Sequence, residues 1–535
     1  MTTMTPYRSE VGPGRDGFAQ LVHAEWTKFR TVRGWIIAMI VAILVSVGLG
    51  LLAPASDSSG CQTSGGGGPQ SGAACGGAPS LLLGPGGEPV TDSFYFVHQP
   101  LVGDGSITVR VTSLTGPAGV VSSPDGNSFG SPGIQPWTKA GVIIKQNQNP
   151  GSAYAAMMVT HDHGVRMQWN YTGDTAGLSG AVGPANPRWL RLSRAGDVIT
   201  GYDSADGTHW TQVGAVTLSG LPATVQAGLF TASPDYMVPH GVTAFHGPTQ
   251  ATAVFDHVTL SRAVGASGAR GSWTGEYFGA GQGSGSDTGK YHQGGGQFTV
   301  NGSGDIAPVT AGHGGLADGA QLINNILIGT FAGLIAIAVV AALFITSEYR
   351  RKLIRITLAA SPRRGRVLAA KAIVIAAVSF VAGVIGAAVA LALGTKITDS
   401  RGNYMFPAPL MTEVRAVIGT GLLVAVAAVL ILAVGAMVRR GAATIAIAVV
   451  VFVVPYFLSV TAVLPVGVDD WLLRVTPAAG YAIQGAYPEY AQVAAIYSAA
   501  NGYYPLAPWI GFLVLCAWTA LALAGAVYLL RRRDA

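Results

Sequence analysis

Few residues in this chain are spaced for chemistry, and each arrangement has a plainer reading. The run Gly283-Ser284-Gly285-Ser286-Asp287-Thr288-Gly289-Lys290-Tyr291 imitates a phosphate loop. However, Ser284 stands where the first glycine belongs, and Tyr291 where a serine or threonine would hold magnesium. His161-Asp162-His163 offers two imidazoles on one face of a strand, with Asp162 on the other, so the ligand set is incomplete and no metal site is expected. Trp137, Trp169, Trp189 and Trp210 could stack on sugar rings, but each lies on a patterned strand or beside a turn, where core packing explains it as well. Ser204-Ala205-Asp206-Gly207-Thr208-His209-Trp210 has the outline of an Asp-box, or simply of an Asp-Gly hairpin turn. The acids are few and mostly in turns, without the paired constellation of a glycoside hydrolase. The expectation is therefore no enzyme and no catalytic residue. Cys61 and Cys75 would close a loop of about 15 residues if bridged, worth roughly 3 kcal/mol. The other reading is two thiols in a Gly-rich linker.

These residues sit in a chain of two unlike parts. Half of its 535 residues are apolar and only 11% are charged, well below a soluble protein, yet it carries 74 glycines and 29 prolines. Six stretches have the length and apolarity to cross a bilayer as helices: 35–53, 322–346, 367–393, 417–438, 442–464 and 509–530. They are nearly free of ionisable side chains, with none at mid-span, which argues against an ion-coupled pump. The net charge of +6 clusters beside these stretches, so the membrane accounts for it and nucleic acid does not. Lys28, Arg30 and Arg33 precede the first stretch. Arg350, Arg351, Lys352, Arg355, Arg363, Arg364 and Arg366 follow the second, Arg439 and Arg440 the fourth, and Arg531 to Arg533 the last. The short alternate loops hold fewer, Lys396, Arg401 and Arg415 in one and Arg474 in the other. The positive-inside rule then places both termini in the cytoplasm and 54–321 outside it.

Two elements beside the spans stand out. Phe18, Leu21, Val22, Trp26, Phe29 and Val32 recur at spacings of three and four, with Lys28 and Arg30 on the polar side. That pattern predicts an amphipathic helix, either a plain anchor or an elbow gripped by a partner. The loop 347–366 begins as a basic helix and is stopped at Ser361-Pro362. Its charges either obey sidedness alone or dock on a cytoplasmic protein.

Between the first two spans, a Gly/Ser/Pro-rich linker over 54–87 leads to alternating runs such as Ile107-Thr108-Val109-Arg110-Val111 and Val165-Arg166-Met167-Gln168-Trp169. Period two with frequent turns predicts an antiparallel β-sandwich over 88–262. A second Gly-rich segment, 263–321, returns the chain to the membrane. Within it Glu276 to Phe278 and Gln297 to Val300 can add a strand or two, without a fixed place.

The string Phe344-Ile345-Thr346-Ser347-Glu348-Tyr349-Arg350-Arg351, with Leu358-Ala359-Ala360-Ser361-Pro362-Arg363-Arg364, resembles type-2 ABC exporter permeases, especially actinobacterial ones. So do Val22-His23-Ala24-Glu25-Trp26-Thr27-Lys28-Phe29-Arg30-Thr31, Trp471-Leu472-Leu473-Arg474-Val475-Thr476-Pro477 and Tyr528-Leu529-Leu530-Arg531-Arg532-Arg533-Asp534. The resemblance implies a bacterial cell membrane and a separate ABC ATPase subunit that carries the ATP and magnesium. It also implies a homo- or heterodimer of permeases and a coupling helix at 347–366. Glu348, Tyr349, Arg350, Arg351 and Arg355 are the implied ATPase contacts, and Trp26, Lys28, Phe29 and Arg30 belong to the implied elbow. Asp104 to Val109, Trp137 to Lys145, Pro150 to Tyr154, Gly201 to Gly207 and Phe255 to Val258 resemble concanavalin-A-like jelly-roll modules, some of which bind glycans.

The expected fold class is thus α+β: a six-helix all-α membrane domain with a jelly-roll sandwich inserted between helices 1 and 2. In chain order the parts are 1–53 (elbow and first span), 54–87, 88–262, 263–321 and 322–535 (spans two to six). The expected function is the permease subunit of an ATP-driven exporter, with cell-wall glycan as a candidate ligand of the sandwich. The alternative is a membrane-anchored glycan-recognition or sensor protein without transport.

Overall fold

The computed structural model describes residues 17–56, 82–116, 120–122, 128–130, 133–240, 243–262, 272–279, 289–310, 321–350, 364–401, 405–461 and 466–532. Cys61, Cys75, Arg351 and Arg355 lie outside them, and so does most of the phosphate-loop lookalike.

The chain divides into two compact units. The first is helical. An opening helix, α1 (Phe18–Thr31), turns at Val32 into α2 (Arg33–Gly50). After the β-structure come α3 (Thr330–Arg350), α4 (Arg364–Ser400), α5 (Leu410–Val438), α6 (Gly441–Val460), α7 (Val466–Val475) and α8 (Pro508–Arg532). Among the described residues, six helices are long and apolar enough to cross a membrane, α2, α3 with its preceding turn, α4, α5, α6 and α8, matching the six expected stretches. Their apolar side chains are distributed as lipid solvation requires. The most enclosed span, α5, packs against α3, α4 and α8. On the outer helices Ile37, Leu44, Leu513 and Leu521 leave more than half their surface outside the bundle. In α6 a π-helical turn, Val449–Val453, precedes Pro455, whose missing N–H and ring disrupt the regular ladder there.

The second unit holds two seven-stranded sheets, each with every strand antiparallel to its neighbours. One centres on Gly105–Thr115, flanked by Arg188–Ala195 and Ala251–Arg262. The other centres on Lys139–Lys145, flanked by Thr224–Ala232 and Tyr154–Thr160. Their facing sides interdigitate in one core: Val109, Leu190, Ile199 and Phe255 from the first meet Val97, Val142, Met157 and Leu229 from the second. The first sheet keeps the alternation read from sequence, with Leu190 and Leu192 inward and Trp189 and Arg191 outward.

The second sheet does not, because Lys139–Lys145 and Tyr154–Thr160 are buried on both faces. Phe94, Phe96, Ile143, Tyr154, Phe230 and Phe278 form a further core on its other side. It is covered by a two-stranded ladder pairing the opening strand Val90–Asp92 with the closing strand Ile306–Pro308. The segment expected mainly to return the chain also completes both sheets. Thr274–Phe278 joins one, and Lys290–Gly294 and Gln297–Gly302 join the other. Residues Pro488–Tyr497, between α7 and α8, belong to this same unit, and Gln492 Nε2 donates to the carbonyls of Tyr171 (3.4 Å) and Thr172 (3.2 Å).

Candidate functional site, a buried charge cluster at the base of the helical unit

Helix α1 presents Val22, Glu25 and Phe29 along one stripe, at the three- and four-residue spacing that places them on one face. Phe29 is buried at 3% exposure against Trp35 of α2 and Phe344 of α3, with ring centroids 5.7 and 5.8 Å away. This aromatic wedge sets α1 against the bundle and carries Glu25 inside, where it is fully buried.

There Glu25 meets Lys371 of α4, which is also fully buried, and Glu348 near the end of α3. Lys371 Nζ lies 2.7 Å from Glu25 Oε2 and 2.7 Å from Glu348 Oε1. Lys28 Nζ closes the set at 2.8 Å from Glu25 Oε1 and 3.3 Å from Glu348 Oε1. The Lys371 ammonium also lies 4.8 Å from the Phe344 ring centroid. Two carboxylates and two ammonium groups balance, which lets ions persist in apolar surroundings. Burial works to lower the pKa of Lys28, but Glu25 and Glu348 outweigh it and raise the value, so Lys28 stays charged.

The cluster joins three elements at one end of the bundle. Residues 351–363 join α3 to α4, and α1 leans on both through Lys371 and Glu348. Beside it, Tyr349 is half-buried under the Arg439 guanidinium, 5.0 Å from the ring centroid. Arg439 caps α5 in the left-handed conformation (φ 61°), donating its N–H to Gly435 O. The turn between α5 and α6 thereby reaches the same place.

Of the expected ATPase contacts, Glu348 belongs to the cluster, turned inward at 8% exposure with Oε1 accepting from Lys371 and Lys28; the other expected site residues are dispersed. Arg350 ends α3, and Arg30 and Trp26 are exposed on α1. Trp137 is buried flat against His163 at 3.8 Å, and Trp169 packs on the sandwich core. Trp189 lies against His257 (5.1 Å) and under Arg110, while Arg191 sits 3.8 Å over Trp210. Each tryptophan thus has a protein partner. Among the described residues no group of three or more His, Cys, Asp or Glu could hold a metal.

Sequence reasoning passed over Glu25 and Lys371. The signals were present: Lys371 is the only charged residue in 367–393, and Glu25 falls on the apolar stripe of its helix.

A second polar group lies toward the other end of α3. Gln484, at the end of the 3₁₀ segment Pro477–Gln484, donates to Thr330 Oγ1 of α3 (3.2 Å) and Thr420 Oγ1 of α5 (2.9 Å). Tyr456 of α6 stacks on Tyr481 at 4.0 Å. Thr330 and Glu348 are roughly 27 Å apart along one helix at 1.5 Å per residue, so α3 connects the charge cluster to this amide network.

No curated protein matches the chain. Among solved structures it is similar to a functionally unknown protein from Saccharomyces cerevisiae, at 12% identity over 35% of this chain and 85% of that one, TM-score 0.23. It is similar to scytalido-glutamic peptidase with a transition state analog inhibitor at 8% identity over 41% and 100%, TM-score 0.23. A GH43 protein from Bacillus licheniformis aligns at 15% identity over 24% of each chain, TM-score 0.15. Overlaps this poor assign neither fold nor function. The family comparison is of another kind: the model described as ABC-2 family transporter protein matches residues 198–535, more than half the chain. With six helices of bilayer length beside that match, the chain belongs to the ABC-2 family of transporters and is a multi-pass membrane permease.

Proposed function

We propose that this permease is the membrane subunit of an exporter and that the Glu25–Lys371–Glu348 cluster transmits force from its ATPase. Family membership implies a partner ABC ATPase. The observation that carries the reading is that both legs of the loop 351–363 and the opening helix converge on one ion cluster, with Glu25 and Lys371 fully buried in it. A push on that loop would then move α1, α3 and α4 together, because separating buried partners costs several kcal/mol. ATP and magnesium stay on the ATPase, and the chain works as a homo- or heterodimer.

In this reading both termini face the cytoplasm of a bacterial cell, as the arginine-rich flanks favour. The β-unit is then an extracytoplasmic, concanavalin-A-like jelly-roll insertion. The cargo is apolar or amphipathic. An apolar groove of about 470 Å³ between α5, α6 and α8, open on the outside of the bundle at Trp518 and Leu521 and floored by Ile431, Val434, Phe452 and Pro455, supports that choice. The sandwich would screen or retain the cargo, or bind a wall glycan.

The test is co-purification with a candidate partner ABC ATPase. Arg351→Glu should abolish association while the spans stay inserted, and association at wild-type level would remove the loop from coupling. In a variant with Cys61, Cys75 and Cys516 replaced by serine, an impermeant thiol reagent should label a cysteine placed near residue 200 in intact cells. Labelling only after lysis would invert the threading.

A further inference from the structure

In the β-unit, one strand holds both ends of the domain. Lys139 and Lys145 stand at the two ends of Lys139–Lys145, an even number of residues apart and so on the same face. Both are fully buried. Lys139 Nζ donates to Asp305 Oδ1 (2.7 Å) and to Ile306 O (2.8 Å), at the start of the closing strand. Lys145 Nζ donates to Asp92 Oδ2 (2.7 Å), at the end of the opening strand, and to Ser152 O (3.3 Å) and Tyr171 Oη (3.4 Å).

The two pairs differ in their surroundings. Asp305 keeps 8% of its side chain exposed, and its Oδ1 also accepts the Ile306 N–H. Asp92 is sealed at 0%, as is Lys145. The Lys145 ammonium is ringed by Phe278 (4.7 Å), Tyr154 (5.7 Å) and Tyr171 (5.8 Å). Asp92 Oδ2 accepts the Gly151 N–H as well (2.8 Å). Asp92 Oδ1 and the Tyr154 hydroxyl, both buried, have no hydrogen-bond partner among the described residues. Asn170 and Tyr171 adopt left-handed backbone (φ 44° and 64°), uncommon for residues with a side chain; such strain gathers at sites with a task.

The pair is thus sealed in an aromatic shell with one carboxylate oxygen unpartnered, where charge is costly to keep. Burial lowers the pKa of Lys145, against the opposing charge of Asp92. Moving the shared proton from Nζ to the carboxylate leaves a neutral amine against a neutral acid, the reactants of amide formation.

We propose that Lys145 and Asp92 are joined by a self-formed isopeptide bond between Nζ and Cγ. The Nζ lone pair attacks Cγ and the N–C bond forms. The tetrahedral centre collapses, and one carboxyl C–O bond breaks with its electron pair passing to oxygen. The Tyr171 hydroxyl accepts the surplus proton from nitrogen and returns its own to the departing oxygen. One amide forms, one water leaves, and no oxidant or other reactant is consumed. Two buried charges are replaced by a neutral group. The strand by which the chain enters the β-unit becomes covalently fixed to the middle of a sheet. The more open Lys139–Asp305 pair stays ionic and serves as an internal control.

The test is mass spectrometry of the full-length protein purified in detergent, then denatured and digested. The wild-type chain should weigh about 18 Da less than its sequence, one water. The peptides carrying Asp92 and Lys145 should emerge as one branched species, with no tryptic cleavage after Lys145 and ordinary cleavage after Lys139. Lys145→Arg should restore the full mass, Lys139→Arg should not, and Asp92→Asn should lose about 17 Da, as ammonia leaves instead. A wild-type chain at full mass, cleaved after Lys145, overturns the proposal whether or not the variants fold.

Discussion

Lys371 and Glu348, on the two helices that residues 351–363 join, meet at 2.7 Å within the helical unit. Glu25, from the first described helix, holds the other side of the same ammonium at 2.7 Å. Lys371→Met would strand two buried carboxylates beside Lys28 alone. Breaking a buried pair costs about 3–5 kcal/mol, so the variant should unfold well below wild type in detergent. Adding Glu25→Gln and Glu348→Gln should recover most of the stability while cargo-stimulated ATP hydrolysis stays lost. Wild-type thermal stability in Lys371→Met would contradict the cluster.

A pH dependence follows from Asp469 in α7. Its side chain is buried, and neither oxygen has a hydrogen-bond partner among the described residues. Burial first, and then the Asp470 charge, push its pKa up to about 6 from 3.8. The folded carboxyl thus keeps a proton that the unfolded chain releases. Its stabilising contribution is complete below pH 3.8 and is lost as pH rises through 6. Asp469→Asn should match wild type near pH 4 and melt above it by pH 7, by on the order of a few degrees. A gap that closes as pH rises would reverse the sign.

Trp137 packs flat on His163, with the Arg166 guanidinium 5.7 Å from its ring centroid. As a packing residue it should cost about 3–5 kcal/mol when replaced by alanine. A change under about 1 kcal/mol in Trp137→Ala unfolding would instead leave the ring free for a sugar.

Gly329, in the turn before α3, lies so close to α2 that a Cβ there would collide with the Ser46 carbonyl oxygen. Gly329→Ala should therefore lower stability by about 1–3 kcal/mol. Gly48, on α2, has open space around it, and Gly48→Ala should be neutral or slightly stabilising. Thermal unfolding of the two variants separates close helix packing from helix propensity.

Local physics made much of this protein legible in its sequence. Partition into lipid is summed along one segment, so the six spans could be read from composition alone. Period-two alternation likewise announced the first sheet through strands such as Arg188–Ala195. Two things were hidden. Lys139–Lys145 and Tyr154–Thr160 break the alternation because a second layer covers them, and that layer comes from residues far away in the chain. Glu25, 346 residues from Lys371, carried no local mark of its partner. An ion pair is a property of distance in space, so only the packing of α1, α3 and α4 could decide which charges are buried together. The same holds for Lys145 and Asp92, ordinary surface residue types made anhydrous by the sheet and ladder around them.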